Sequence, residues 1–552
     1  MAEMRLRVIA LGGIREIGKN STAVEYGSQM VLVDAGVKFP EEELRGIDLL
    51  VPDVSYIQQR RDHLRALLLT HGHEDHIGAV AYILPLLAGD RPLPIYGSPL
   101  TVGFVRERLR EHRIERLADL RPVEPRKRYQ IGRFGAEFFR VAHSIPDSMA
   151  IALHTPIGAL FFTGDFKLDQ KLPPNRRTDL EGIAALGEAG VLALLSDATR
   201  SERPGATPSE RVVTEELDSI IRTAPGRVII STFASNIARL GDVLRAAGHL
   251  GRRAALVGRS IEQNGRVAMA LGYLPADAPL SSVEEVLRLP KRRQLLLTTG
   301  SQGEATAALS RMATGMHPRV RIVEGDTVII SATPVPGNEE TVAQTIDALF
   351  EQGARVIYPE LDPRVHVSGH ASRDELRQMI RSVRPRFVVP IHGEYRHLVL
   401  FSDLCREEGI GPDRVYLPQL GQPLEFDRTG ARRGRPVPSG TLLVDRLEVG
   451  GRERVVLRRE GEMAESGVVL AAVVIDRESG RLVGDPTLTA KGFPADSQLE
   501  VATQALRREL SRGRRGQPAY GDLVERTKQS VGRSIYRTMH KRPLIIPMVA
   551  EV

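Results

Sequence analysis

Three histidines and a carboxylate crowd into one short stretch of the chain, Thr70-His71-Gly72-His73-Glu74-Asp75-His76-Ile77-Gly78. Each imidazole can offer a neutral nitrogen lone pair and Asp75 an anionic oxygen, the donor set that borderline-soft Zn²⁺ accepts. On an extended backbone, side chains two apart face the same way, so His71 and His73 share a direction. The turn through Asp75 and His76 aims a second pair at a neighbouring point. Two adjacent metal positions are therefore expected. The plain alternative is a chance histidine cluster on an exposed loop, and the tight mixed spacing argues against it.

Such a loop needs a strand end to hold it. The apolar run Leu67–Leu69 precedes the cluster, and a helix-like stretch, Ile77–Leu87, follows. The same order of strand and then ligand type recurs elsewhere. Asp34 follows Met30–Val33, His143 follows Phe138–Ala142, Asp165 follows Leu160–Gly164 and Asp197 follows Leu192–Ser196. A lone Asp after a strand is usually a turn residue. A series of them beside a histidine cluster points to strand ends converging on one place.

From about 208 to 350 the pattern changes to strand–helix alternation, with strands expected at Arg227–Ser231, Ala254–Val257, Gln294–Thr298 and Val328–Ser331. That alternation predicts a small parallel α/β unit. Runs at Arg355–Tyr358 and Phe387–Pro390 then resume the first style, which suggests an insertion rather than a tandem domain. The expected division is 1–207 and 356–427 for the first domain, 208–355 for the insertion, 428–460 for a Gly/Pro/Arg linker and 461–552 for a small α+β domain. Within the last, a strand is expected at Val468–Ile475 and an amphipathic helix near Ser497–Glu509.

Residues 5–425 resemble the metallo-β-lactamase fold, an αββα sandwich, and within it the nucleic-acid-processing β-CASP branch with its inserted parallel α/β domain. The His-x-His-x-Asp-His motif carries the likeness. The resemblance implies that His71, His73 and His143 hold one zinc, that Asp75, His76 and His392 hold another, and that Asp165 bridges both. It implies that Asp34 orients the ligand loop by hydrogen bonds and that Asp197 belongs to the first motif of the branch. Two later stretches sharpen it: His366-Val367-Ser368-Gly369-His370, and Pro390-Ile391-His392-Gly393-Glu394. By resemblance His370 contacts the scissile phosphate, and the catalytic groups are His370, Asp75 and Asp197. A histidine at 392 looks like the RNA-processing members.

The opening Gly12-Gly13-Ile14-Arg15-Glu16-Ile17-Gly18-Lys19-Asn20, the insertion and the small last domain are similar to the ribonuclease J family. Taken alone, the Gly-rich opening lacks Walker A spacing and reads as a turn near the site. The family likeness implies a 5′→3′ exonuclease and endonuclease with two Zn²⁺ per subunit, Mn²⁺ serving as replacement or supplement. It places a pocket for a 5′-monophosphate at Ser231, Thr232 and Phe233, facing His366, Val367, Ser368, Gly369 and His370. On the residues alone, Ser231–Asn236 could equally be an ordinary helix cap. Single-stranded RNA, a homodimer or homotetramer and no membrane are the expected partners and setting.

Composition is compatible with all of this. The chain has 552 residues, 42% hydrophobic and 26% charged, enough for several ordinary globular domains. No apolar stretch is long enough to span a bilayer, and the N-terminus lacks a signal-peptide core. A single cysteine, Cys405, excludes an internal disulfide and any multi-Cys zinc site, and fits a reducing cytoplasm. The net charge is +7, and residues 451–552 carry 18 Lys+Arg against 13 Asp+Glu. That surplus suggests a polyanionic partner, or simply a solvated face. Three rivals stay open: a small-molecule hydrolase on the same fold, a silent RNA-binding scaffold and a 3′-end-processing endonuclease.

Overall fold

The structure is a computed structural model. It describes residues 5–40, 47–300, 307–334, 338–427, 429–445, 448–450, 468–476, 482–491, 496–511, 520–539 and 544–551. The chain divides into two compact units, 1–449 and 450–552.

Two sheets face each other in the first unit. The larger has eight strands, ordered in space Ala431–Arg433, Leu424–Phe426, Leu6–Gly12, Ser21–Tyr26, Gln29–Val33, Leu64–Leu68, Leu93–Gly97 and Ala118–Pro122. The other has six: Phe387–Ile391, Val191–Asp197, Ala159–Phe162, Met149–His154, Phe134–Arg140 and Arg128–Ile131. Alternation along the strands sends Val8, Val31 and Leu68 from one sheet against Phe138, Leu160 and Leu195 from the other, all buried in one core. The outer faces are covered by helices, Val80–Leu87 and Pro99–Glu111 on one side. Leu180–Ala189, Arg373–Val383 and Tyr395–Glu407 cover the other. This is the αββα sandwich expected from the sequence.

Between Val191–Asp197 and its parallel neighbour Phe387–Ile391 lies the inserted domain. Its sheet is parallel throughout, ordered Arg253–Val257, Gln294–Thr298, Val228–Ser231, Thr327–Ile330 and Arg355–Ile357. The last strand corrects the sequence reading. Arg355–Ile357 was expected to resume the first domain, but it pairs with Thr327–Ile330 and closes the inserted sheet. A three-residue strand carries a propensity and no address, so only the tertiary pairing assigns it.

Two further expectations need adjustment. The helix expected at Ile77–Leu87 is split into a turn, Glu74–Ile77, and a helix, Val80–Leu87. Ala35 N–H donates to the His76 carbonyl at 2.7 Å and Val37 N–H to that of Glu74 at 3.0 Å, so the turn's carbonyls are shared with another loop. The segment expected as a linker is partly structured. Ala431–Arg433 pairs with Leu424–Phe426, and Thr441–Asp445 with Leu49–Pro52. Arg432 is there ion-paired with Glu425 and Arg433 donates to Gln422, so these guanidiniums hold an edge strand. Residues 451–467, the rest of the expected linker and the start of the last domain, lie outside the described residues.

In the second unit Val468–Ile475 is the central strand, antiparallel to Thr487–Lys491 and parallel to Leu544–Glu551. The helices Asp496–Ser511 and Tyr520–Met539 contribute Ala502, Leu506, Val531 and Ile535 to its core. Among the described residues no helix is long and apolar enough to cross a membrane.

Candidate active site

The strand ends meet as the sequence grammar requires. His71, His73, His143 and Asp165 form one group and Asp75, His76, Asp165 and His392 a second, the facing atoms of each lying within 4.8 Å of one another. In the first, His73 Nδ1 is 3.1 Å from both His71 Nε2 and His143 Nε2, and Asp165 Oδ2 is 3.5 Å from His71 Nε2. In the second, His76 Nε2 lies 3.2 Å from Asp165 Oδ2 and 3.5 Å from Asp75 Oδ2. His392 Nε2 is 3.6 Å from each of those carboxylates. All but His73 and Asp75 are buried.

The outward atoms of these rings are satisfied. His76 Nδ1 meets Asp34 Oδ2 at 2.8 Å, His143 Nδ1 the Gly369 carbonyl at 2.8 Å, and His392 Nδ1 meets Asn20 Oδ1 at 2.9 Å. His71 Nδ1 sits 3.0 Å from Thr70 Oγ1, and His73 Nε2 3.2 Å from Ser144 Oγ. Asp34, in a left-handed conformation (φ 59°), also accepts from the Thr70 amide and hydroxyl. Partners of this kind place the proton on the outer nitrogen and leave the inner lone pair bare. Bare nitrogens 3.1 Å apart repel, and Asp165 Oδ1 is buried with no hydrogen-bond partner. Among the described residues only one donor faces these acceptors, Asn20 Nδ2 at 3.1 Å from His76 Nε2. Acceptors converging in such excess are what a cation satisfies, so the residues fit the metal centre their types suggested.

Asn20 escaped the sequence reading. Its Nδ2 lies 3.1 Å from the Asp75 carbonyl, while its Oδ1 serves His392. The signal was the Gly-rich opening itself: Gly13 (φ 73°) would carry a Cβ 2.2 Å from Asn20 Oδ1, so the glycine makes room for that side chain. Gly369 has a similar second reason. A Cβ there would stand 2.6 Å from His143 Cε1.

His370 sits beside this cradle, its ring stacked 5.7 Å from that of His392, with Nδ1 2.8 Å from Asp197 Oδ2. The other Asp197 oxygen accepts from the Thr199 amide and hydroxyl, which fixes the carboxylate. Burial opposes a charge on His370, but Asp197 and Asp165 outweigh it and lift its pKa to about 9. Burial also opposes a charge on His76, where Asp165, Asp75 and Asp34 prevail and raise it. Burial wins at His71 and His143, which are pushed down, and at His73, which falls to about 4.

The expected phosphate-binding residues form a second cluster at the strand ends of the inserted sheet. Ser231 ends the strand Val228–Ser231, and Asn236 caps the helix Ile237–His249 through the Arg239 amide. Phe233 and His366 approach edge to face at 6.3 Å. Ser231 Oγ, Asn236 Nδ2 and Arg239 Nε are all buried without a hydrogen-bond partner. Thr232 is buried, and its hydroxyl reaches the Ser331 carbonyl at 3.5 Å. Ser368 Oγ accepts from the His370 amide at 3.1 Å. The Val367 side chain points into the core instead, leaving only its backbone for a ligand. Burial and Arg239 push His366 down to about 3, so this imidazole is neutral. Of the histidines outside these two clusters, His397 and His317 are buried and accept backbone N–H groups, and His154 pairs with Glu137. His540 lies outside the described residues.

A two-sheet sandwich with acceptors converging at its strand ends, interrupted by a parallel α/β domain, defines a metallo-β-lactamase hydrolase of the β-CASP type. Family profiles match accordingly: the metallo-beta-lactamase superfamily over 14–231, and the ribonuclease J beta-CASP domain over 225–349. A Zn-dependent metallo-hydrolase RNA specificity domain covers 362–418, and the ribonuclease J C-terminal domain 455–552. Among curated relatives, Ribonuclease J2 of Bacillus subtilis is 38% identical over 99% of both chains. Ribonuclease J of Mycolicibacterium smegmatis is 41% identical, over 99% of this chain and 97% of that one. Ribonuclease J of Thermus thermophilus is 40% identical, over 99% and 95%. A solved structure of a protein of unknown function from Enterococcus faecalis matches 76% of this chain and all of its own, at TM-score 0.54 and 16% identity, which shows the fold alone. The chain belongs to the ribonuclease J family and is a metal-dependent ribonuclease.

Proposed function

We propose that this ribonuclease holds two Zn²⁺, replaceable by Mn²⁺, and degrades RNA 5′→3′ from a 5′-monophosphate while also cutting internally. The carrying observation is the pairing of two unlike clusters: convergent acceptors at the sandwich strand ends, and unpaired buried donors, Ser231 Oγ among them, at the inserted sheet. His71, His73, His143 and Asp165 would hold one ion and Asp75, His76, His392 and Asp165 the other. When bound, the ions supply a water of lowered pKa and charge neutralisation of a phosphate oxygen.

The chain's own groups do the rest. His370 is held by Asp197, so its Nε2 can carry a proton towards the leaving 3′-oxygen. In-line displacement then leaves a 3′-hydroxyl upstream and a 5′-phosphate downstream, which is the next substrate end. Ser231, Thr232, His366 and the 367–369 backbone would receive the terminal phosphate, and Phe233 would stack its base. We assign 1–207 and 358–427 to the catalytic domain, 208–357 to the β-CASP insertion with its closing strand Arg355–Ile357, and 461–552 to a C-terminal domain that joins subunits into a dimer or tetramer. The cytoplasm is the proposed compartment.

The test is digestion of one labelled RNA bearing a 5′-monophosphate, 5′-triphosphate or 5′-hydroxyl, with and without chelator. Chelator-sensitive release of mononucleotides from the monophosphate form alone is expected. Internal cuts indifferent to the 5′ end would point to a 3′-end-processing endonuclease instead.

A further inference from the structure

Between the donor cluster and the catalytic sandwich runs a buried chain of charges that neither the metal centre nor the proposed phosphate contacts use. Lys167, wholly buried, places Nζ 3.1 Å from Glu210 Oε1 and 3.2 Å from the Ser368 carbonyl. Glu210 Oε2 accepts from an Arg239 terminal nitrogen at 2.8 Å. The other terminal nitrogen of Arg239 donates to the Ser331 carbonyl at 2.7 Å and lies 3.2 Å from His366 Nδ1. One network thus grips the 366–370 segment at two points, His366 and Ser368.

We propose that Arg239 is a positioning residue for 5′-end recognition: its guanidinium, anchored by Glu210 and the Ser331 carbonyl, keeps the His366 proton on Nε2, so that a neutral imidazole N–H meets the terminal phosphate. The inference rests on the 5′-monophosphate reading above and deepens it.

A guanidinium has five N–H groups and no acceptor, so Nδ1 facing it must accept. The single proton of a neutral ring then sits on Nε2. The Ser331 carbonyl, with two lone pairs, also draws a ring proton, but the Arg239 N–H that faces Nδ1 at 3.2 Å keeps that proton off Nδ1. A planar fork can serve Ser331, His366 and Glu210 at once, which a lysine ammonium, a single point of charge, cannot do with the same directions. Glu210 is required because the buried guanidinium would otherwise lose its carboxylate, Asp169 lying 4.0 Å from the Lys167 ammonium instead.

The experiment uses the full-length protein. With histidine-selective ¹⁵N labelling, and His366 assigned by its absence in His366→Ala, the ring should show an unprotonated Nδ1 and a protonated Nε2. In kinetics on RNA carrying either a 5′-monophosphate or a 5′-hydroxyl, Arg239→Lys should raise KM for the monophosphate form roughly ten- to a hundredfold, the worth of a charge-assisted hydrogen bond. The loss should fall on KM more than kcat, and on 5′-hydroxyl RNA far less. A wild-type enzyme indifferent to the 5′ end, with a silent His366→Ala, would defeat the phosphate-pocket reading itself. Retained selectivity in Arg239→Lys, with selectivity lost in His366→Ala, would overturn this inference alone. So would a proton on Nδ1 in the wild-type protein, a result that stands even should Arg239→Lys fail to fold.

Discussion

The metal cradle and the donor pocket are both built at the C-terminal ends of strands, and both are buried, yet they are complementary in what they leave unpaired. Around the cradle every outer ring nitrogen has a partner, and what remains facing inward is lone pairs and carboxylate oxygens. At the inserted sheet the remaining atoms are donors or hydroxyl: Ser231 Oγ, Asn236 Nδ2 and Arg239 Nε. Buried polar atoms are ordinarily satisfied, so an unpaired set of one kind is informative. The cradle asks for cations and the pocket for an anion. The sign of each ligand can be read from which half of the hydrogen-bond inventory has been left open.

The sharpest way to break that contrast is to remove a ligand. His76→Ala should abolish cleavage, a loss of several kcal/mol in the transition state or about a thousandfold and more in rate, while thermal unfolding shows an intact fold. Near-wild-type turnover would sink the cradle assignment.

Breaking the charges that tie the two regions together should act on stability first. Glu210→Gln leaves Arg239 buried without its carboxylate and Lys167 with only Asp169 at 4.0 Å, at a cost of about 3–5 kcal/mol, measurable by denaturant titration at neutral pH. Burial alone would raise the Glu210 pKa, but Arg239 and Lys167 depress it from 4.5 to about 2. A pKa depressed in the folded state means stability present above about 4.5 and lost as pH falls through about 2. The acid limb of the stability curve should therefore flatten in Glu210→Gln; an unchanged limb would contradict the network.

Smaller effects separate holding a metal from orienting its ligands. Asn20→Ala and Asp34→Ala should each weaken metal affinity about ten- to a hundredfold in chelator competition, with the ligands themselves untouched. Wild-type affinity in both would show that the outer bonds are incidental. Gly369→Ala is the mildest, about tenfold in kcat, because the new Cβ can be relieved only by moving His143 or the 366–370 segment. If metal affinity falls with it, cradle and pocket are mechanically joined; if only KM changes, they are separate.

Much of the cradle was legible because each ligand stands directly after a short apolar run, and strand ends of one sheet converge. That grammar placed Asp34, His143, Asp165 and Asp197 without any knowledge of which strands pair. What it could not reach were partners brought together only by the fold. Asn20 meets His392 across 372 residues, and Gly369 meets His143 across 226. Arg355–Ile357 was misassigned for the same reason, its pairing with Thr327–Ile330 being a tertiary fact. Arg239 reads in the sequence as one more cation on an amphipathic helix, and only burial beside Glu210 and His366 gives it a role.

The account is tested most directly by a crystal structure of the zinc-loaded protein with a 5′-phosphorylated RNA whose first internucleotide linkage resists hydrolysis. Two anomalous peaks between His71, His73, His76, His143, Asp75, Asp165 and His392 are predicted, with the terminal phosphate within hydrogen-bond distance of Ser231 Oγ and His366 Nε2. A terminal phosphate bound elsewhere, or a cradle without metal peaks, would contradict the assignment of opposite signs to the two clusters.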